Sequence, residues 1–100
     1  MIRVSVMYAN APGRKFDMDY YCNKHMAMVH QKLDPLGLVR TEVDKGISGP
    51  GGPCPFVAIG HLYFKSMEDF QRCGAELGKF GSDLPNFTDT RPQIQINEIL

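Results

Sequence analysis

Tyr21 and His25 lie one helical turn apart in a stretch whose apolar positions, Met18, Tyr21, Cys22, His25, Val29 and Leu33, follow three-and-four spacing. That spacing places the imidazole on the inward face of a helix. A buried ring needs partners for both nitrogens, and its ordinary pKa of about 6.5 makes it a natural proton carrier near neutrality. Such a group can contribute about 10²- to 10⁴-fold as a general acid or base, or it can be a core histidine bonded to a carbonyl or hydroxyl. Tyr21 could orient that ring or donate to a substrate oxygen; equally, it could be an aromatic core residue with a polar tip. His61 offers a second proton carrier or a plain sheet position.

Metal and nucleotide chemistry find no support in this pattern. His25 and His30 stand five apart on a helix and diverge, so no ligand pair forms with His61. The only glycine-rich stretch, Gly49-Pro50-Gly51-Gly52-Pro53, lies between two strands instead of opening a helix, so it is no phosphate cradle. We expect no bound metal and no cofactor.

The elements that would position these residues alternate in type. Ile2, Val4, Val6 and Tyr8 alternate with Arg3, Ser5 and Met7 as a strand, which Asn10-Ala11-Pro12-Gly13 breaks. Asp17 can cap a helix of about 16 residues that Asp34-Pro35-Leu36-Gly37 closes. Leu38 to Lys45 reads as an edge strand with one charged face, and Phe56 to Phe64 as the strongest strand. Ser66 caps a second helix with the stripe Met67, Phe70, Cys73, Gly74, Leu77 and Phe80 or Gly81; an irregular segment from Ser82 to Asp89 follows, then a strand from Gln93 to Ile99. The order βαββαβ is the ferredoxin-like α+β arrangement, one domain over residues 1–100 with two helices on one face of a four-stranded antiparallel sheet. In the third strand Phe56, Ala58, Leu62 and Phe64 point one way while Val57, Ile59 and Tyr63 point the other. Both faces therefore read as apolar, and a second copy packed sheet to sheet would cover the open one, with His61 and Tyr63 between the subunits.

Eleven basic residues balance eleven acidic ones without a basic run, so neither nucleic acid nor an anionic membrane is an expected partner. The first strand lacks the apolar core of a signal peptide and no later run approaches spanning length. Three cysteines without disulfide or metal spacing fit a reducing, cytoplasmic setting; Cys22 and Cys73 fall on helix stripes, and Cys54, borne by a loop, is the expected fastest thiol.

Phe16-Asp17-x-Asp19-Tyr20-Tyr21-x-x-x-His25, then Gly60-His61-Leu62-Tyr63-Phe64-x-Ser66, then Asp83-Leu84-Pro85-Asn86-Phe87-Thr88-Asp89 and Pro92-x-Ile94-Gln95-Ile96, resemble the EthD family of the dimeric α/β-barrel superfamily across essentially the whole chain. One position departs: members usually carry proline two residues after the helix histidine, where this chain has Ala27. The resemblance implies a homodimer whose two sheets form a barrel, with pockets beside the helices or within the barrel. For activity it implies a cofactor-independent enzyme on a small hydrophobic aromatic, polyketide-like or lactone substrate, working by oxidation, decarboxylation or isomerisation. His25, Asp83 and Tyr21 would be its catalytic residues, Asp83 as the motif carboxylate that holds the imidazole in one tautomer or, alternatively, as a turn residue bonding its own backbone; His61, Tyr63, Asn86 and Phe87 would contact substrate, and Asn86 and Thr88 could equally fix the local turn. The family name comes from ethyl tert-butyl ether degradation and the family is often given oxidoreductase activity. The second reading is accordingly a non-catalytic accessory or ligand-binding protein of a degradative oxygenase system in xenobiotic catabolism.

Overall fold

The computed structural model describes residues 1–100. Strands β1 (Ile2–Ala9), β2 (Leu38–Lys45), β3 (Phe56–Phe64) and β4 (Gln93–Glu98) form one sheet in the order β2-β3-β1-β4, with every neighbouring pair antiparallel. The first helix runs through residues 18–33; the second is two short helices, Met67–Arg72 and Gly74–Leu77, joined by a turn at Cys73 and followed by a 3₁₀ run from Gly78 to Asn86. This is the expected ferredoxin-like architecture.

The register explains which sheet face is buried. Ile2 pairs with Phe64, Val4 with Leu62 and Tyr8 with Ala58, so these six side chains share one face, and all six are buried. Tyr21, Met26, Val29 and Leu33 from the first helix and Cys73 from the second complete the same cluster. Burying each large aliphatic or aromatic side chain contributes about 1.5–3 kcal/mol, which fixes both helices on that side. Local signals agree with this placement. The Asp17 carboxylate accepts the Tyr20 N–H at 3.0 Å and the Ser66 hydroxyl accepts the Asp69 N–H at 3.2 Å, so both anticipated caps form. The first helix ends in a 3₁₀ turn, Asp34–Leu36, and Gly37 takes φ 116°, a left-handed conformation that glycine adopts without a Cβ penalty.

Four details differ from the sequence pattern. The first helix contains a π turn over Tyr21–His25, closed by the Met26 N–H on the Tyr21 carbonyl. The extra residue keeps Tyr21 and His25 buried and turns Cys22 outward, where it is exposed. A bulge between Tyr8 and Ala9 of β1 shifts the register against β3, so Val57, not Phe56, packs against the core. Residues 78–86, read partly as helix stripe and partly as irregular chain, wind as 3₁₀ helix with Pro85 inside it.

The open sheet face is polar, against the expectation of an apolar one, because β2 sets its charged residues beside β3. Glu42 pairs with His61, and Arg40 with Tyr63. His61 lies between the Ser5 hydroxyl (Nδ1, 3.0 Å) and the Asp44 carboxylate (Nε2, 2.8 Å). The Tyr63 hydroxyl donates to Glu42, and the Arg40 guanidinium sits 4.1 Å above the Tyr63 ring.

The thiol order changes as a result. Cys54 is half-buried, its carbonyl and sulfur both receiving the Asn10 amide at 3.0 and 3.5 Å, and Cys73 is fully buried with its thiol pKa pushed up by that burial. Timed maleimide labelling should therefore modify Cys22 first, Cys54 more slowly and Cys73 only on unfolding. Cys54 labelling ahead of Cys22 would place the π turn in error.

Candidate functional site

Between the sheet and the helices lies a cavity of about 430 Å³. Its walls come from β1 and β3 (Val4, Val6, Leu62), the first helix (Met26, Val29), the second helix (Phe70, Leu77), the 3₁₀ run (Phe80, Leu84) and β4 (Ile94). Twelve of its 17 lining residues are hydrophobic, Tyr8 and Tyr21 among them, so their two hydroxyls, His25 and Arg91 are the side-chain groups on the wall that can do chemistry or recognition. Ile94 keeps 63% of its surface exposed although its side chain shares the helix-covered face, because β4 is the sheet edge where the cavity opens.

His25 lies on this wall, and Asp83, 58 positions away in sequence, bonds to it from outside the cavity. The His25 Nδ1 lies 2.9 Å from Asp83 Oδ2, with the two side chains 7% and 14% exposed. The other Asp83 oxygen accepts the Tyr20 hydroxyl and the Asn86 amide, each at 2.8 Å. Burial alone would raise the Asp83 pKa; hydrogen bonds from Asn86, His25 and Tyr20 outweigh it and hold the carboxyl below its ordinary value. A carboxylate thus fixed accepts from Nδ1–H, so any further bond the ring makes is through Nε2. Nε2 has no protein partner and is not among the sealed polar atoms, which are Arg3 Nε and Glu76 Oε2. Since the ring borders the cavity, Nε2 is available to its occupant.

Aromatic rings set the imidazole plane. Tyr21 stacks on His25 with centroids 5.3 Å apart at 15°, and Phe87 lies 4.7 Å away on a tilt. The Tyr21 hydroxyl reaches across the sheet to Gly60, where any Cβ would collide with it. There it sits beside Tyr8. Burial pushes the Tyr8 hydroxyl up to about 12 and raises Tyr21 as well, so both remain protonated donors at neutral pH. The Tyr20 pKa is raised first by its hydrogen bond to Asp83, then by burial.

The structure therefore gathers His25, Asp83, Tyr21, Asn86 and Phe87, while His61 and Tyr63 lie on the opposite face of the sheet. Asn86 and Phe87 are absent from the cavity wall and support the His25–Asp83 pair from behind. Three residues were not singled out as site residues in the sequence. Tyr20 is the second donor to Asp83, Tyr8 shares the buried face of β1, and Arg91 stands at the cavity border. Only Tyr8 carried a usable signal, as the one polar tip in an otherwise aliphatic strand face.

The lowered Asp83 pKa makes its contribution to stability present above the unfolded carboxylate pKa and lost as pH falls through the folded value. Wild type should consequently melt higher than Asp83→Asn at neutral pH, and the gap should narrow below about pH 4. Thermal scans across pH 2.5–7.5 read this directly; a gap that stays constant over the whole of that range would show that Asp83 is not held as a carboxylate.

No family model matches the sequence, and no curated protein matches it. Among solved structures, an EthD-like protein of Ralstonia eutropha JMP134 superposes with a TM-score of 0.89 at 34% identity, covering 99% of this chain and 91% of that one. An ethyl tert-butyl ether degradation (EthD) family protein of Bacillus halodurans C-125 gives 0.76 at 22% identity, covering 100% and 99%. A dimeric ferredoxin-like protein of unknown function from Bacteroides fragilis gives 0.52 at 12% identity over 98% and 94%, a likeness of fold alone. Fold and site define a ferredoxin-like protein with a histidine–carboxylate pair on an apolar cavity. The chain belongs to the EthD-like family.

Proposed function

We propose that this EthD-like protein is a cofactor-independent enzyme that moves a proton on a small hydrophobic aromatic, polyketide-like or lactone molecule. The observation that carries the reading is His25 on the wall of a largely apolar cavity, held from behind by Asp83, with Nε2 unpartnered. His25 Nε2 takes the substrate proton, and Asp83 stabilises the resulting imidazolium through Nδ1–H, as an orienting carboxylate does in a triad. Tyr8 and Tyr21, kept protonated by burial, hydrogen-bond to each other, so the pair offers one free O–H to an oxygen on which negative charge develops. Isomerisation of an activated carbonyl compound uses that abstraction and a later return of the proton; in decarboxylation the C–C bond breaks with release of CO2 and the enolate left behind takes a proton from the His25 imidazolium instead.

The preponderance of apolar wall also suits a carrier that holds a compound for an oxygenase system without changing it. A panel of aromatic polyketide-like and lactone compounds incubated with chelator-treated protein, read by mass spectrometry, separates the two. A product formed without added cofactor supports the enzyme; compounds bound and recovered unchanged support the carrier.

We further propose a homodimer packed through the open sheet face, in which His61 and Tyr63 lie between the subunits. The likeness in fold to a dimeric ferredoxin-like protein supports it, as does a face carrying both Arg40 and the acids Glu42 and Asp44, which a two-fold partner can answer in kind. Light scattering should give about twice the 11.2 kDa chain mass at micromolar concentration. A stable monomer would remove His61 and Tyr63 from any shared pocket.

A further inference from the structure

A second cavity of about 460 Å³ adjoins the first and shares Gly81, Leu84 and Arg91 with it. Its character is opposite. Lys15, Thr88, Asp89 and Thr90 line it, and only one of its eight lining residues is hydrophobic. Arg91 stands where the apolar chamber gives way to the polar one, and neither Arg91 nor Lys15 belongs to any of the six ion pairs in the molecule. Asp89 is the acid in this chamber, and one of its oxygens is engaged by the Lys15 backbone N–H at 3.0 Å, not by either cation's side chain. Thr88 is likewise committed: its hydroxyl donates to the Lys15 carbonyl at 2.8 Å and accepts the Thr90 N–H at 3.2 Å. The polar chamber thus carries two cations against one acid, with its loops pinned by their own hydrogen bonds.

We propose that Arg91 is the recognition residue for an anionic head group and that the ligand is a monocarboxylate with an apolar aromatic body. This rests on the reading of the apolar cavity as the substrate site and names the substrate's charged end. The body fills the chamber lined by Val6, Leu62 and Ile94 and reaches His25, while the carboxylate meets the Arg91 fork at the boundary with Lys15 adding positive potential. A guanidinium suits this role because its planar fork matches a carboxylate in bidentate fashion and stays charged at every working pH. Arg91 and Lys15 are exposed, so a neutral hydrocarbon would leave them to solvent, whereas a carboxylate on an apolar body uses both chambers, and a ligand polar throughout would leave the apolar chamber unfilled.

The test uses the full chain at about pH 7, where an aryl carboxylate is ionised. N-phenyl-1-naphthylamine serves as the fluorescent occupant of the apolar chamber, displaced in turn by 2-naphthoate and by its neutral counterpart 2-naphthamide. Wild type should prefer 2-naphthoate by about two- to fivefold, the scale of an exposed ion pair, and the preference should shrink as salt rises. Arg91→Gln should erase the preference while leaving 2-naphthamide displacement within about twofold, and Arg91→Lys should retain part of it. Equal displacement by the two compounds in wild type, or a preference that survives in Arg91→Gln, would overturn the proposal while leaving the cavity reading intact. Failure of the fluorophore and both compounds to bind wild type would instead bring down the cavity reading and this proposal together.

Discussion

Replacing His25 with asparagine should lower turnover of any converted substrate by about 10²- to 10⁴-fold while leaving apolar compounds bound with nearly unchanged affinity. Asparagine can still donate a hydrogen bond toward Asp83, and Asp83 keeps its Tyr20 and Asn86 donors, so the cluster around the carboxylate survives the exchange. It cannot titrate near neutrality. Single-turnover rates together with fluorophore titration separate the chemical step from binding. Unchanged turnover in a folded variant would exclude proton transfer by His25, and a collapse of both fold and binding would mark the ring as a core residue.

Phe87→Ala should be the most damaging truncation for stability. The ring is fully buried and meets Tyr8, Phe16, Tyr20, Tyr21 and His25, with centroid separations between 4.7 and 6.1 Å. Its carbonyl also accepts the Asp17 N–H at 2.7 Å, tying the start of the first helix to the end of the 3₁₀ run. Losing such a ring costs about 3–5 kcal/mol, against a total of about 5–15 kcal/mol for a domain. The melting temperature should fall by at least about 12 °C, whereas Phe87→Leu should cost about 1.5 kcal/mol or less. A drop of only a few degrees in Phe87→Ala would mean that the aromatic cluster does not organise the site.

What the sequence could reveal followed the range of the forces involved. Alternation along β1 and three-and-four spacing along the first helix are local consequences of burying one face, and they located Tyr21 and His25 on the inward side. Caps at Asp17 and Ser66 are equally local. The π turn that exposes Cys22 depends on the backbone accommodating one extra residue, and periodicity averaged over the helix conceals it. The Asp83 contact joins two segments 58 positions apart, so only the ordered motifs of the EthD-like family pointed to it. The open face was misread because one strand was judged without its neighbour: the charges beside Tyr63 and His61 come from β2. Tyr20 and Arg91 gave no local signal, since an aromatic next to Tyr21 and one arginine among scattered basic residues look unremarkable in a linear reading.

The π turn gives the first helix two rotational phases. An α-helix advances about 100° per residue, so the five-residue turn works as a one-residue insertion that offsets residues before Tyr21 from those after His25. Met26, Val29 and Leu33 obey the packing demands of the sheet, while Tyr20 and Tyr21 obey those of Asp83 and His25. Removing a single residue from this turn would leave the composition almost untouched, yet it would swing the tyrosines by about a quarter turn relative to the core half of the helix. Length within residues 21–25 is therefore under tighter geometric control than the identity of the exposed Asn23 or Lys24.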